Sequence, residues 1–149
     1  INFFYRSLGS YTESEDLAQV VFIKLYRAAE RYQARAKFST FLFHIARRVL
    51  LNEFRRKSRK PVEYIDSQEF HYEESEDPEV QRRLNEIEEI FQLAIKKLSE
   101  KHRTALLLYK QQQLSYQEIA EIMKANKNAV KTWIYRARNQ LREEMEDLL

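Results

Sequence analysis

The chain has no cysteine in its 149 residues. That excludes a disulfide framework and every thiolate-based zinc site. The three histidines, His44, His71 and His102, are scattered and offer no ligand spacing, so no structural metal and no cofactor are implied. Glycine occurs once and proline twice, which leaves few of the residues that punctuate strands and hairpins. Long apolar runs are missing as well. The longest, Ala105 to Tyr109, is about five residues, against the roughly 20 that a spanning helix needs. No charged-then-apolar leader opens the sequence, and the chain reads as cytosolic with no membrane partner. No nucleophile with its base, phosphate loop or metal cluster can be assembled from these residues, which argues against an enzyme.

What is plentiful is Leu, Ala, Glu, Lys, Arg and Gln, all good helix formers, and the expected class is all-α. Helix ends can be placed from capping chemistry. "INFFYRSLG" reads as the end of a helix stopped at Gly9, with its first turns expected before Ile1. Thr12 with Glu15 makes a capping box before "SEDLAQVVFIKLYRAAERY", and Ser39 precedes "TFLFHIARRVLLNEFRRK". Asp77 stands before Pro78 at a first helical position, Ser99 opens "EKHRTALLLYKQQ", and Ser115 with Glu118 makes a second capping box. Asn126 caps a last helix from about Lys127 toward Met145.

Cut at its two prolines, the chain shows a charge pattern that the net +3 conceals. Residues 1–60 hold 13 basic and 5 acidic side chains (+8), residues 61–79 none and 8 (−8), and residues 80–149 13 and 10 (+3). The expected architecture is two small helical domains, 1–60 and 80–149, joined by an acidic linker with too little aliphatic content to fold alone. The linker is either a solvated spacer or an imitation of nucleic acid in a partner's basic channel.

In the second block, "SYQEIAEIM" and "KNAVKTWIYRARNQLREEM" are separated by only a few residues, the plan of a helix-turn-helix. Ile119, Ala120, Ile122 and Met123 in the first helix, and Val130, Ile134, Ala137 and Leu141 in the second, recur at inward-facing spacing. The outward face of the second helix carries Lys127, Asn128, Lys131, Thr132, Tyr135, Arg136, Arg138 and Asn139, hydrogen-bonding groups first and cations after them. That order suits base edges and then phosphates. Trp133 fits either the core or a contact beside the DNA backbone.

In the first block, Phe38, Phe41, Leu42, Ile45, Ala46 and Val49 form an inward stripe. His44, Arg48, Asn52 and Arg56, each four apart, form an outward line with Phe43 beside it and Arg47 and Arg55 flanking. A cationic face headed by an aromatic suits a separated strand, since stacking and phosphate attraction need no groove. A basic solvated helix face is the alternative.

Four motifs in order carry a family resemblance: "SEDLAQVVF", "KFSTFLFHIARR", "LSEKHRTALLLYKQQQLSYQEIAEIM" and "NKNAVKTWIYRARNQLRE". Together they resemble regions 2 and 4 of the bacterial extracytoplasmic-function (ECF) sigma factors, with nearly everything covered except the linker. The resemblance implies a transcription initiation factor that binds core RNA polymerase at its clamp helices and flap and directs it to promoter DNA, with an anti-sigma partner in many relatives. By similarity, Asp16, Gln19 and Phe22 dock on the clamp helices. Arg35 and Lys37 in the loop "RYQARAKF", with Phe43, His44, Arg47, Arg48, Asn52, Arg55 and Arg56, hold the melted minus-ten element. Lys127, Asn128, Lys131, Thr132, Tyr135, Arg136 and Arg138 read the minus-thirty-five element as duplex, and the linker threads the RNA exit path.

Several positions depart from the family pattern. Val20 stands for Glu, Phe41 for Trp, Ser39, His44 and Arg48 for Arg, Arg and Asn, and Trp133 for Arg. Lys124 stands where a turn glycine is usual, so it either avoids positive φ or accepts modest strain. A helix-turn-helix regulator acting at operators without polymerase is the rival reading. Such a protein needs a sensor or dimer seam in the first block, and none is evident.

Overall fold

The computed structural model describes residues 1–33, 35, 37–59 and 74–148. The greater part of the acidic tether, 61–73, lies outside the described residues, as does His71. Seven α-helices and one 3-10 turn make up the described regular structure, with no strand among those residues. They are α1 (Asn2–Leu8), α2 (Tyr11–Ala28), the 3-10 turn Ala29–Arg31, α3 (Phe38–Arg59), α4 (Pro78–Lys97), α5 (Glu100–Lys110), α6 (Tyr116–Met123) and α7 (Lys127–Leu148).

Most helix ends fall where capping chemistry places them. Gly9 stops α1 in the left-handed conformation at φ 74°. Asp77 Oδ1 accepts from Glu79 N–H at 2.9 Å beneath Pro78, Ser99 Oγ accepts from His102 N–H, and Asn126 Oδ1 accepts from Ala129 N–H at 2.8 Å. Ser115 and Glu118 complete the reciprocal box at the start of α6. Two expectations need correction. The cap of α2 is Ser10, whose Oγ accepts from Glu13 N–H, so Thr12 lies inside the first turn: the left-handed Gly9 turns the chain early enough for the next residue to cap. Helix α3 starts at Phe38, one residue before the point set by Ser39. Helix α4 begins at Pro78, where Asp77 and Pro78 place it.

One apolar cluster runs through both halves of the chain. Phe3, Phe4, Val49 and Leu50 from the first half join Ile95, Leu108, Ile119, Val130 and Ile134 from the second. Each such side chain contributes about 1.5–3 kcal/mol when fully buried. Polar groups pin the joint. Gln92, 1% exposed on α4, donates from Nε2 to the carbonyls of Tyr5 and Arg6, satisfying the C-terminal end of α1. Arg6 grips Glu88 through both guanidinium nitrogens and lies 4.8 Å over the ring of Phe91. Arg103 of α5, buried, donates to the carbonyl of Leu98 at 3.2 Å and covers Phe54 of α3.

The turn of the helix-turn-helix runs through Lys124 in the left-handed region, at φ 50° and ψ 51°. Its N–H bonds back to the end of α6, so the strained conformation is the one that closes the turn. A side chain there costs roughly 1 kcal/mol that glycine does not. Lys124→Gly is therefore expected to stabilise the fold by about 0.5–1 kcal/mol, raising the melting temperature by roughly 2–4 °C in thermal unfolding. An unchanged or lower melting temperature would contradict the strain assignment.

Candidate polymerase and nucleic-acid interfaces

Three surfaces stand out. The first is on α2. Phe22 is 65% exposed, Ile23 52% and Tyr26 85%, with Val20, Gln19 and Asp16 also on the surface. Positions 19, 22, 23 and 26 share one helix face, so a stripe of large apolar groups faces solvent with nothing covering it. Such a stripe is the mark of a protein-binding site. Asp16, Gln19 and Phe22 are brought together as the sequence suggests; Ile23 and Tyr26 were missed, although the same three-to-four spacing from Phe22 could have found them.

The second surface is a groove of about 900 Å³ along α3. Lys24, Arg31, Arg47, Arg48, Arg55 and Lys124 line it, together with His44 and Asn52, and no acidic residue does. A slot with that charge attracts a polyanion. Its members are not equivalent. Arg47 is half-buried with Nε 3.6 Å from Glu100, and Arg56 is paired with Glu53 at 2.5 Å. The side chains of Arg48 and Asn52 have no hydrogen-bond or ion-pair partner among the described residues and are left for a ligand. Arg35 and Lys37 are exposed at the loop, and Arg55 is exposed on the helix.

Phe43 does not head this line. It is half-buried, edge-on to the ring of Phe3 with centroids 5.7 Å apart, because Phe3 of α1 packs on the side of α3 that the helical spacing left open to solvent. Phe38, expected in the core, is instead 53% exposed and stands edge-on to Tyr32. At the first turn of α3, α6 covers the Thr40 side and no helix faces Phe38. Thr40 and Leu50 take the buried places that the stripe did not predict. The aromatics near the groove's end are thus Tyr32, Phe38 and Phe41, the last 5.1 Å from the Tyr32 ring.

His44 lies in the groove, and its pKa is pushed below the ordinary 6.5, first by burial and then by Arg48, Lys124 and Arg47. The neutral imidazole is the stable form at pH 7. Between the folded value and 6.5 the unfolded chain binds more protons than the folded one, so stability falls as pH drops through that window and is flat above it. In an NMR titration the His44 midpoint is expected below 6.5, and Lys124→Gln is expected to move it upward. A midpoint at or above 6.5 would contradict the cationic crowding.

The third surface is the outward face of α7. Lys127, Asn128, Lys131, Thr132, Tyr135, Arg136 and Arg138 are all exposed, as the sequence suggests. Tyr109 and Tyr116 stack at 5.1 Å with planes 9° apart; Lys131 Nζ sits 5.5 Å over the Tyr116 ring and the Arg138 guanidinium 5.4 Å over Tyr109. These rings hold two cations at one edge of the exposed α7 face. Thr132 Oγ1 donates to the carbonyl of Asn128 at 3.1 Å, so its methyl is turned to a different side. Trp133 is half-buried under Lys101 Nζ at 5.6 Å. Arg136, near the far edge, helps burial to lower the pKa of His102.

Among the described residues no helix is long and apolar enough to cross a membrane, and no cluster of three or more potential metal ligands occurs.

Comparison with known proteins matches the chain to a family. Residues 1–60 match the family described as Sigma-70 region 2, and residues 88–141 match Sigma-70, region 4. The ECF RNA polymerase sigma factor SigW of Bacillus subtilis is 34% identical over 154 residues, covering 97% of this chain and 81% of that protein. The RNA polymerase sigma-H factor of Pseudomonas aeruginosa is 33% identical, covering 92% and 75%. Among solved structures, the sigma factor RpoE of Bartonella quintana, in complex with the anti-sigma factor NepR, has the same fold with a TM-score of 0.80 at 23% identity, covering 97% of this chain and 88% of that one. With both halves matched, in order, and relatives above 30% identity covered over three quarters or more of their length, the chain belongs to the ECF RNA polymerase sigma factors.

Proposed function

We propose that this sigma factor divides promoter recognition between its halves. Helix α3 holds the melted minus-ten strand through His44, Arg48, Asn52 and Arg55, with Arg35, Lys37, Arg47 and Arg56 around them. The α7 face from Lys127 to Arg138 reads the minus-thirty-five element as duplex. The observation that carries this reading is the acid-free groove, in which Arg48 and Asn52 are unpaired while the neighbouring Arg47 and Arg56 are engaged within the protein. Extruding bases costs a few kcal/mol, which a cationic slot ending in the Tyr32, Phe38 and Phe41 rings can offset.

Asp16, Gln19 and Phe22, with Ile23 and Tyr26, form the surface for the polymerase clamp helices. An apolar groove of about 670 Å³ floored by Phe91, Ile95, Leu106, Leu107, Leu141 and Met145 is the surface for the flap. The segments 1–60 and 80–149 act as the two recognition modules, joined by 61–79, in the cytoplasm. A protein partner that holds the factor inactive belongs to the same reading, since RpoE of Bartonella quintana was solved with an anti-sigma factor. The test is gel filtration of the chain with core polymerase: stoichiometric co-elution is expected, and separate elution would reject the proposal.

A further inference from the structure

The stacked rings of Tyr109, near the end of α5, and Tyr116, at the start of α6, gather three cations from two helices. Lys131 Nζ lies 5.5 Å from the Tyr116 ring, the Arg138 guanidinium 5.4 Å from the Tyr109 ring, and Lys110 Nζ 5.7 Å from that same Tyr109 ring. Lys131 and Arg138 stand two turns apart on α7, about 10 Å along its axis. Lys110 is exposed and belongs to α5, so no count along α7 could include it. The two phenols are tied as well as stacked. Their hydrogen bond is the first cause that holds the Tyr109 hydroxyl below its ordinary range, with the nearby charges of Arg138 and Lys110 adding to it.

A ring holds a cation differently from a carboxylate. Arg6, Arg47 and Arg56 face Glu88, Glu100 and Glu53, which fix their positions and also offset their charges within the protein. Lys110, Lys131 and Arg138 form no ion pair among the described residues. An aromatic ring attracts a cation through its quadrupole and carries no net charge, so the cation is oriented while its charge stays available. Ordering a long Lys or Arg side chain opposes any contact it makes, and here part of that ordering is already present in the free protein. Three such charges, spread over two turns of α7 and the end of α5, suit an extended polyanion better than a single anionic group. Duplex DNA, with one negative charge per roughly 1.7 Å of its axis, is that kind of ligand.

We propose that Tyr109 and Tyr116 form a positioning platform for the duplex backbone, and that Lys110 is a further phosphate contact of the same site, extending the grip on the minus-thirty-five element from α7 onto α5. The proposal rests on the reading of the α7 face as the duplex-binding surface. Tyr109 and Tyr116 act through the cations they hold, and Lys110, Lys131 and Arg138 touch the phosphates. Contacts of this kind carry no base identity, so the platform sets how tightly and in which register α7 sits, and the base-facing residues of α7 choose the sequence.

The test is the affinity of reconstituted holoenzyme, over a series of salt concentrations, for a duplex carrying the upstream element recovered from its own transcripts. Lys110→Ala is expected to make the slope of log K against log salt shallower by about 0.9, and Lys110→Arg to keep the parent's slope. Tyr109→Leu with Tyr116→Leu retains all three cations, so the slope should hold while affinity falls roughly fivefold to thirtyfold. Tyr109→Phe with Tyr116→Phe retains both rings and should stay within about threefold of the parent. Lys131→Ala is expected to cost less in the leucine background than in the parent, a coupling that a merely structural role of the rings would not produce. Lys110 also borders the apolar groove proposed for the flap, so its variants are first run with core polymerase on gel filtration. Loss of co-elution, or an unchanged salt slope, for Lys110→Ala would overturn the α5 contact. Equal costs of Lys131→Ala in the two backgrounds, or a phenylalanine pair as weak as the leucine pair, would overturn the platform. Unchanged duplex affinity for Lys131→Ala with Arg136→Ala would instead overturn the α7 reading beneath both.

Discussion

Replacing both Phe22 and Tyr26 with alanine is expected to weaken binding to core RNA polymerase by about 3–5 kcal/mol, roughly two to four orders of magnitude in Kd. Both rings are mostly in solvent in the free protein, so removing them leaves no cavity and unfolding should move by less than about 0.5 kcal/mol. They lie one turn apart on α2 with Ile23 between them and Gln19 below, which gives the stripe the aromatic-rich make-up of an energetic hot spot. The measurement is a titration of labelled sigma factor with core enzyme, with circular dichroism melting as the control. Undiminished affinity would mean that the stripe is not the docking surface, whatever its exposure.

The second large effect separates the two surfaces proposed for DNA. Arg48→Ala with Asn52→Ala is expected to reduce open-complex formation by about 2–4 kcal/mol, since both side chains are free of internal partners and each contact to a base or phosphate is worth about 1–3 kcal/mol. Binding of an isolated minus-thirty-five duplex should stay within twofold or so of the parent. Lys131→Ala with Arg136→Ala should do the reverse. Duplex affinity should fall, and the slope of log K against log salt should become shallower by about 0.9 for each phosphate contact removed. Lys131 is the more instructive of the two because Tyr116 already holds its ammonium in place, so its loss also removes a pre-organised position. Equal loss of strand and duplex binding in both variants would reject the division of labour.

Local chemistry made much of this fold legible from the residues. Asp77, Ser99, Ser115 with Glu118, and Asn126 cap helices because a short polar side chain needs to reach only two or three residues ahead. The buried faces of α6 and α7 followed from spacing for the same reason. Errors came where distant chain decides. Phe43 and Phe38 exchange expectations because Phe3 of α1 packs against Phe43 and, at the first turn of α3, α6 covers Thr40 but not Phe38. Spacing within α3 says which residues share a face and not how many faces have neighbours. No pattern in the sequence could pair Glu118 with Thr40, 78 residues apart, or send Gln92 to the end of α1.

The site was legible to a similar degree. Of the line His44, Arg48, Asn52 and Arg56, the first three border one groove with the flanking Arg55 while Arg56 does not line it, and the α7 face is exposed from Lys127 to Arg138. What the spacing could not convey is that Arg47 and Arg56 are already engaged by Glu100 and Glu53, or that Lys24, Arg31 and Lys124 join the groove from other elements. Charge counted along a chain gives the sign of a surface, and only the fold tells which charges remain available to a ligand. An operator-binding regulator could share α6 and α7. It has no use for the α2 stripe or for a first half that matches Sigma-70 region 2.

Transcripts made by core polymerase reconstituted with this protein, sequenced across a bacterial genome's DNA, test the division of promoter recognition most directly. Start sites from a small promoter set are expected, aligning on one upstream and one start-proximal element, with the upstream element altered in use by Lys131→Ala and the start-proximal one by Asn52→Ala. Initiation no more selective than that of core enzyme alone would contradict the account.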